Sequence, residues 1–227
     1  SLVTFLRAPA LLHPERDISF RTTFHYGFIG LIFAVVTGRI SGALVYAGLL
    51  PDPGTHALDD QSPLFLLFGA VLLAPLLEEL LFRMQLKSFN GNLVFTMLTA
   101  AVVLLHFLPD GPLPAGICLV IMSVIYLLIR AWSGKSVSRK FRFWRYLFPV
   151  NFYLTALTFS FVHLYNFSRA ESLIYIGLLY TVPQLILGLV LGYVRIRYDL
   201  KQAMLLHAFY NGTFFLLMFT EDLISKV

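Results

Sequence analysis

Apolar residues run along this chain in long blocks rather than in alternation. Windows of about 19 residues pick out stretches at 24–47, 64–87, 93–107, 113–131, 146–165, 173–194 and 202–219, suited to a hydrocarbon core roughly 30 Å thick. Each block is apolar on all sides, whereas a membrane barrel needs alternating polarity in segments of about ten residues. Lipid offers nothing to an unpaired backbone group, so the blocks are read as helices. The breaks between them carry helix-stopping turn chemistry: Pro51-Asp52-Pro53-Gly54, Asn90-Gly91-Asn92 and Pro109-Asp110-Gly111-Pro112. The expectation is an all-α fold, a polytopic integral membrane helix bundle with about seven transmembrane helices, forming a single membrane domain over 1–227. Residues 1–23 hold Leu2, Val3, Phe5, Leu6, Leu11 and Leu12, interrupted by Pro9 and Pro14, and fit an interfacial N-terminal segment better than a span.

Composition agrees with this pattern. Of 227 residues, 58% are hydrophobic and 13% charged, against roughly 45–50% and 25% for soluble domains, which excludes a water-soluble globule. The single cysteine, Cys118, excludes an intramolecular disulfide and paired-thiol zinc patterns. The net charge of +5 would suggest nucleic acid in a soluble protein. Its placement points instead to the membrane, because Lys and Arg accumulate on the cytoplasmic side of spans. Alternate loops place Arg7, Arg16, Arg21, Lys87, Arg130, Lys135, Arg139, Lys140, Arg142, Arg145, Arg195, Arg197 and Lys201 on one side, thirteen of the seventeen basic residues. The other side receives Arg169 and Lys226 with Asp52, Asp59, Asp60, Asp110, Glu221 and Asp222. The N-terminus is therefore expected inside and the C-terminus outside, in the cytoplasmic membrane.

A charged side chain inside a span costs about 2.5–3.5 kcal/mol on insertion scales, so those present must be compensated or used. The second span carries Glu78-Glu79-Leu80-Leu81-Phe82-Arg83, the fifth Phe159-Ser160-Phe161-Val162-His163, and the seventh His207-Ala208-Phe209-Tyr210-Asn211. Residues four apart share a helix face, so Glu79 faces Arg83, Phe159 lies under His163, and His207 sits one turn from Asn211. Glu79 with Arg83 reads as a structural ion pair. Glu78, rotated by about 100°, is left without a local basic partner, and a sheltered carboxyl of that kind suits general-base work. His163, His207 and Asn211 are polar groups on two further spans in the same membrane. The spacings Gly38-x-x-x-Gly42 and Gly188-x-x-x-Gly192 predict close helix packing.

In order, the three polar segments resemble the E-E-x-x-x-R, F-x-x-x-H and H-x-x-x-N motifs of the CPBP family, the CAAX proteases and bacteriocin-processing enzymes also called Abi proteins. The stretch from Gly188 through Gly192-Tyr193-Val194-Arg195 to Leu205-Leu206-His207 is similar to the last two helices of that family. The resemblance covers roughly 72–219. It implies a family-like core over 64–219 with a two-helix insertion at about 93–131, because Glu79 and His163 stand much farther apart than the family's neighbouring helices place them.

The resemblance implies an intramembrane endopeptidase that cleaves without an acyl intermediate. Glu78 would activate a water with help from His163, and His207 with Asn211 would hold the developing oxyanion. Glu79, Arg83 and Phe159 would support them, with no cofactor. The residue types also permit a zinc-dependent version with Glu78, His163 and His207 as ligands, although the H-E-x-x-H helix is absent. Expected partners are membrane lipids and a peptide or lipidated-protein substrate, with no nucleic acid. Two other functions stay open, a non-proteolytic scaffold or regulator of the same fold and a small proton-coupled transporter. Helical rise sets His163 on the order of 10 Å nearer the outer face than Glu78 and His207, a gap that tilt or a fifth span starting near Pro149 would close.

Overall fold

The computed structural model describes residues 1–12, 15, 20–59, 61–107, 112–133 and 136–225. The turn at 109–111, Arg16, Asp60, Lys135, Lys226 and the side chains of Cys118, Glu221 and Asp222 lie outside the described residues. Helices dominate, in the order α1 (Leu2–Arg7), α2 (Phe20–Tyr46), α3 (Pro63–Phe65), a π-helical stretch Leu66–Leu73, α4 (Ala74–Phe82), a 3-10 turn Met84–Lys87, α5 (Phe89–Phe107), α6 (Pro112–Ser133), α7 (Val137–Val162), α8 (Gly177–Tyr180), α9 (Val182–Arg197) and α10 (Leu200–Ser225). Among the described residues, Phe24–Tyr46, Pro63–Lys87 and Val137–Asn166 are long and apolar enough to cross a membrane, and Val120–Ala131 is a shorter apolar stretch of α6. The chain is an all-α integral membrane helix bundle. Exposed Phe28, Phe33, Val36, Ile117, Val120, Ile121 and Val124 suit lipid contact.

The short helix α9 is the axis of the bundle, packed against α2, α7 and α10. Leu187, Val190, Leu191, Tyr193, Val194 and Ile196 are all buried there. Its glycines permit the close approach to α7: a Cβ on Gly188 would meet Phe159 at 3.2 Å, and one on Gly192 would meet Phe152 at 2.7 Å. Gly38 and Gly42 have the same spacing, but a Cβ at either would meet nothing within 4 Å among the described residues. The helix α1 docks on α9, where buried Phe5 lies against Tyr193 at 5.2 Å between ring centres, and reaches α7 edge-on at Phe152, 5.1 Å away.

Three spans differ from expectation. The sixth does not run unbroken from 173. It is divided into 3-10 and α turns before α9, which begins with Pro183 in its first turn, where a missing N–H costs nothing. The buried Ser160 hydroxyl holds that break by donating to the Thr181 carbonyl at 2.8 Å. The second span is composite, changing from π to α register at Ala74. The fifth begins at Val137, so Pro149 lies inside the helix and not in its first turn.

The depth mismatch disappears with this last correction. A helix of 26 residues is about 39 Å long, longer than a hydrocarbon core of roughly 30 Å, so its basic first turns do not mark the edge of the span, and His163 stands level with Glu78, 3.8 Å away. The antiparallel register is fixed where Gln85 Nε2 donates to Thr155 Oγ1 at 3.1 Å, and Thr155 in turn donates to the Asn151 carbonyl at 2.7 Å. From that bond, similar distances along α4 and α7 reach Glu78 and His163.

Opposite ends of the bundle are tied by different chemistry. Arg195 Nε donates to the Arg83 carbonyl at 3.1 Å and Lys87 Nζ to the Tyr198 carbonyl at 2.9 Å, each side chain capping the helix end of the other. At the far end, residues 51–59 join 166–169: Ala57 N–H donates to Asn166 O at 2.7 Å, Ser168 N–H to Thr55 O at 3.0 Å, and Arg169 pairs with Asp52 at 3.1 Å. Both groupings match the loop sorting made from charge.

Candidate active site

The glutamate pair lies on α4 just beyond the π segment. Glu79 is fully buried with Arg83, its Oε1 3.3 Å from Nη1. The Arg83 guanidinium also sits 3.9 Å from the centre of the Phe159 ring, a cation–π contact strengthened by burial. Glu79 Oε1 has a second partner, which sequence spacing did not reveal: His207 Nδ1 on α10, at 3.0 Å. A carboxylate accepts, so this nitrogen carries the proton, and Nε2 of a neutral His207 presents a lone pair.

Glu78 points the other way. Its Oε2 lies 3.6 Å from His207 Nε2 and 3.8 Å from His163 Nε2. Both separations exceed a hydrogen bond, and Oε2 is buried with no hydrogen-bond partner among the described residues. His163 stands at the C-terminal end of α7, where its Nδ1 donates to the Phe159 carbonyl at 2.8 Å, again leaving Nε2 as an acceptor when neutral. Phe159 therefore fixes His163 through its carbonyl, lies tilted against its ring at 4.6 Å and meets the His207 ring edge-on at 5.7 Å. Three acceptor atoms from three helices converge on one spot. Glu78 and His163 keep 27% and 17% of their side chains accessible, while His207 keeps 1%, so the spot has a wet side and a dry side.

Asn211 stands apart from this convergence in its observed bonding, with Nδ2 donating to the Ala70 carbonyl of the π segment at 2.8 Å. Behind the site lies a polar layer that sequence reading missed. Gln85 bonds the Phe82 carbonyl and Thr155, and Asn92 donates to the Gln85 and Ser88 carbonyls at 2.7 and 2.9 Å. Asn92 also accepts, through its own carbonyl, a bond from Thr96, which binds Asn151 as well. These amides sit among apolar neighbours without periodicity, and the Asn90-Gly91-Asn92 turn signal was the sole hint of Asn92. The donor types at Glu78, His163 and His207 are those of zinc sites, yet among the described residues no group of three His, Cys, Asp or Glu side chains is disposed to hold a metal ion.

The fold is thus a helical membrane bundle with a carboxylate and two imidazoles gathered at a half-accessible point. The model of one family, described as Type II CAAX prenyl endopeptidase Rce1-like, matches residues 135–213, so that about a third of the chain is similar to that family. The matched segment contains Phe159, His163, His207 and Asn211; the glutamate pair precedes it in sequence and joins it in space. No curated protein and no solved structure matches the chain.

Proposed function

We propose that this protein is an intramembrane endopeptidase that hydrolyses a peptide bond of a membrane-associated substrate with a water activated by Glu78. The observation that carries the reading is the buried Glu78 Oε2, unpartnered among the described residues and lying 3.6 and 3.8 Å from two imidazole nitrogens. Three facing acceptors repel one another unless a donor stands among them, and a water molecule supplies two O–H groups. Glu78 on the accessible side takes the water's proton as hydroxide attacks the scissile carbonyl, and His163, oriented by the Phe159 carbonyl, holds the water in line. The tetrahedral oxygen develops negative charge towards His207. The Nδ1 proton of that ring is committed to Glu79, so Nε2 donates to the tetrahedral oxygen once it takes the remaining proton of the added water, and the proton held by Glu78 passes to the leaving amine as the C–N bond breaks. Glu79 is itself held by Arg83, so the ion pair fixes the ring indirectly.

The family match extends to the substrate as a proposal: the carboxyl-terminal segment of a prenylated protein, presented from the cytoplasmic side of the membrane. The α5–α6 pair, which separates the glutamates from the matched segment, is read as an insertion into the family core. The test is to compare membrane peptides in cells carrying wild type and Glu78→Gln. A precursor should accumulate with the variant, its cleavage slowed by about 10²–10⁴-fold; a fully active Glu78→Gln protein refutes the reading. Stoichiometric zinc in the purified protein, lost together with activity on chelation, would replace the metal-free mechanism.

A further inference from the structure

The π segment that precedes α4 leaves one carbonyl without a main-chain donor, and Asn211 is bonded to it. Ala74 N–H donates to Gly69 O, five residues back, so the π register persists to the end of Leu66–Leu73. In that register the next carbonyl, Ala70, would take its bond from residue 75. That residue is Pro75, which has no N–H. In the α register the donor would be Ala74 N–H, already committed to Gly69. A carbonyl orphaned inside a membrane bundle is costly, because lipid supplies no substitute. Asn211 Nδ2 donates to it at 2.8 Å from α10. The helices approach closely here, since a Cβ on Gly212 would touch Val71 at 3.4 Å.

We propose that Asn211 is a positioning residue that locks the register of the helix bearing Glu78 by capping the carbonyl that Pro75 leaves free. Glu78 follows Pro75 by three residues, and His207 precedes Asn211 by one turn, so a single side-chain bond sets the rotation of one reacting group against the helix that carries the other. A slip of one residue turns Glu78 by about 100° and takes Oε2 away from both imidazoles. The role differs from the oxyanion contact that family resemblance implies for Asn211. It rests on the peptidase reading for its effect on activity but not for its effect on stability.

The test is a double-mutant cycle in the full chain, with Asn211→Ala, Pro75→Ala and the pair, read by thermal unfolding in detergent and by substrate cleavage. Asn211→Ala alone should lower Tm by several degrees and kcat by about a hundredfold, the effect of a misplacement near 1 Å. Pro75→Ala returns an N–H that, in the π register Ala74 already follows, donates to the Ala70 carbonyl, so the Asn211→Ala change should cost almost nothing in that background, in Tm or in rate. The proposal is overturned if the two Tm losses are independent, or if stability is rescued while the rate stays a hundredfold down, which would make Asn211 a group touching the reacting atoms. Should no variant or wild-type protein cleave any substrate, the stability cycle still decides the clamp, while the peptidase reading alone would fail.

Discussion

Removing Arg83 should unfold this protein more readily than removing both members of its ion pair. Arg83 and Glu79 are each fully buried, with a closest approach of 3.3 Å, which at an effective dielectric of about 20 is an attraction near 5 kcal/mol. Among the described residues the guanidinium makes no hydrogen bond through Nε, Nη1 or Nη2, so its desolvation is offset by Coulomb attraction and by the Phe159 ring, and not by directed bonds. Arg83→Met leaves the Glu79 carboxylate buried with His207 as its remaining partner, and breaking a buried pair from one side costs about 3–5 kcal/mol. The double variant Glu79→Gln with Arg83→Met removes both charges at nearly the same volume. The amide oxygen introduced at position 79 still accepts from His207 Nδ1, and exchanges of this kind are often neutral or stabilising by about 1–4 kcal/mol. Unfolding in mixed micelles titrated with sodium dodecyl sulfate should put Arg83→Met at least two orders of magnitude below wild type in its folding equilibrium and the double variant level with wild type or above. Equal stability of Arg83→Met and wild type, or additive losses in the double variant, would show that the pair is not what holds this part of the core.

Two further outcomes follow from named contacts. Gly192→Ala pushes a methyl into the Phe152 ring at 2.7 Å, and that ring is itself held by Phe5, Phe148 and Tyr153, so about 1–3 kcal/mol of stability should be lost in the same titration, while Gly38→Ala, which meets nothing within 4 Å, should change it by less than about 0.5 kcal/mol. In the loop joining α2 to α3, burial lowers the His56 pKa below its ordinary value against the opposing pull of Asp59, and its Nδ1 accepts the Leu58 N–H at 3.2 Å. A depressed folded-state value means the neutral ring stabilises the 51–59 and 166–169 clasp fully above the ordinary imidazole pKa and loses that contribution as pH falls through the lowered one. Hydrogen exchange at the Ala57 and Ser168 amides should therefore quicken on mild acidification in wild type and lose this dependence in His56→Gln; an unchanged profile in the variant would refute the assignment.

What the sequence made legible was whatever a period carries. Unbroken apolar runs declared membrane helices, and the four-residue spacing put Glu79 with Arg83 and Phe159 with His163 on shared faces, as the distances of 3.3 and 4.6 Å reflect. A period says which face a residue occupies and nothing about what the face meets. Gly38-x-x-x-Gly42 and Gly188-x-x-x-Gly192 are indistinguishable on paper, yet the second pair lies against Phe159 and Phe152, while a Cβ on either of the first would meet nothing within 4 Å among the described residues. The second partner of Glu79, His207, is 128 residues away, and the bond that sets helix depth joins Gln85 to Thr155 across 70.

The same limit explains why the depth reckoning failed while the grouping of site residues did not depend on it. Apolar windows locate where lipid begins only for helices that end at the interface, and α7 continues through Arg145, Arg142, Lys140 and Arg139 without a break. Charged residues that look like a loop are then the extension of a helix, and every depth measured from them is shifted. Polar bonds between helices fix the true register: Gln85 with Thr155, Ser160 with Thr181, Asn211 with Ala70. In lipid the apolar faces of helices slide against one another with little preference, so these few bonds, each expensive to leave unmade, carry the positional information. The site is thereby specified less by the residues that would do the chemistry than by uncharged side chains one or two turns away from them.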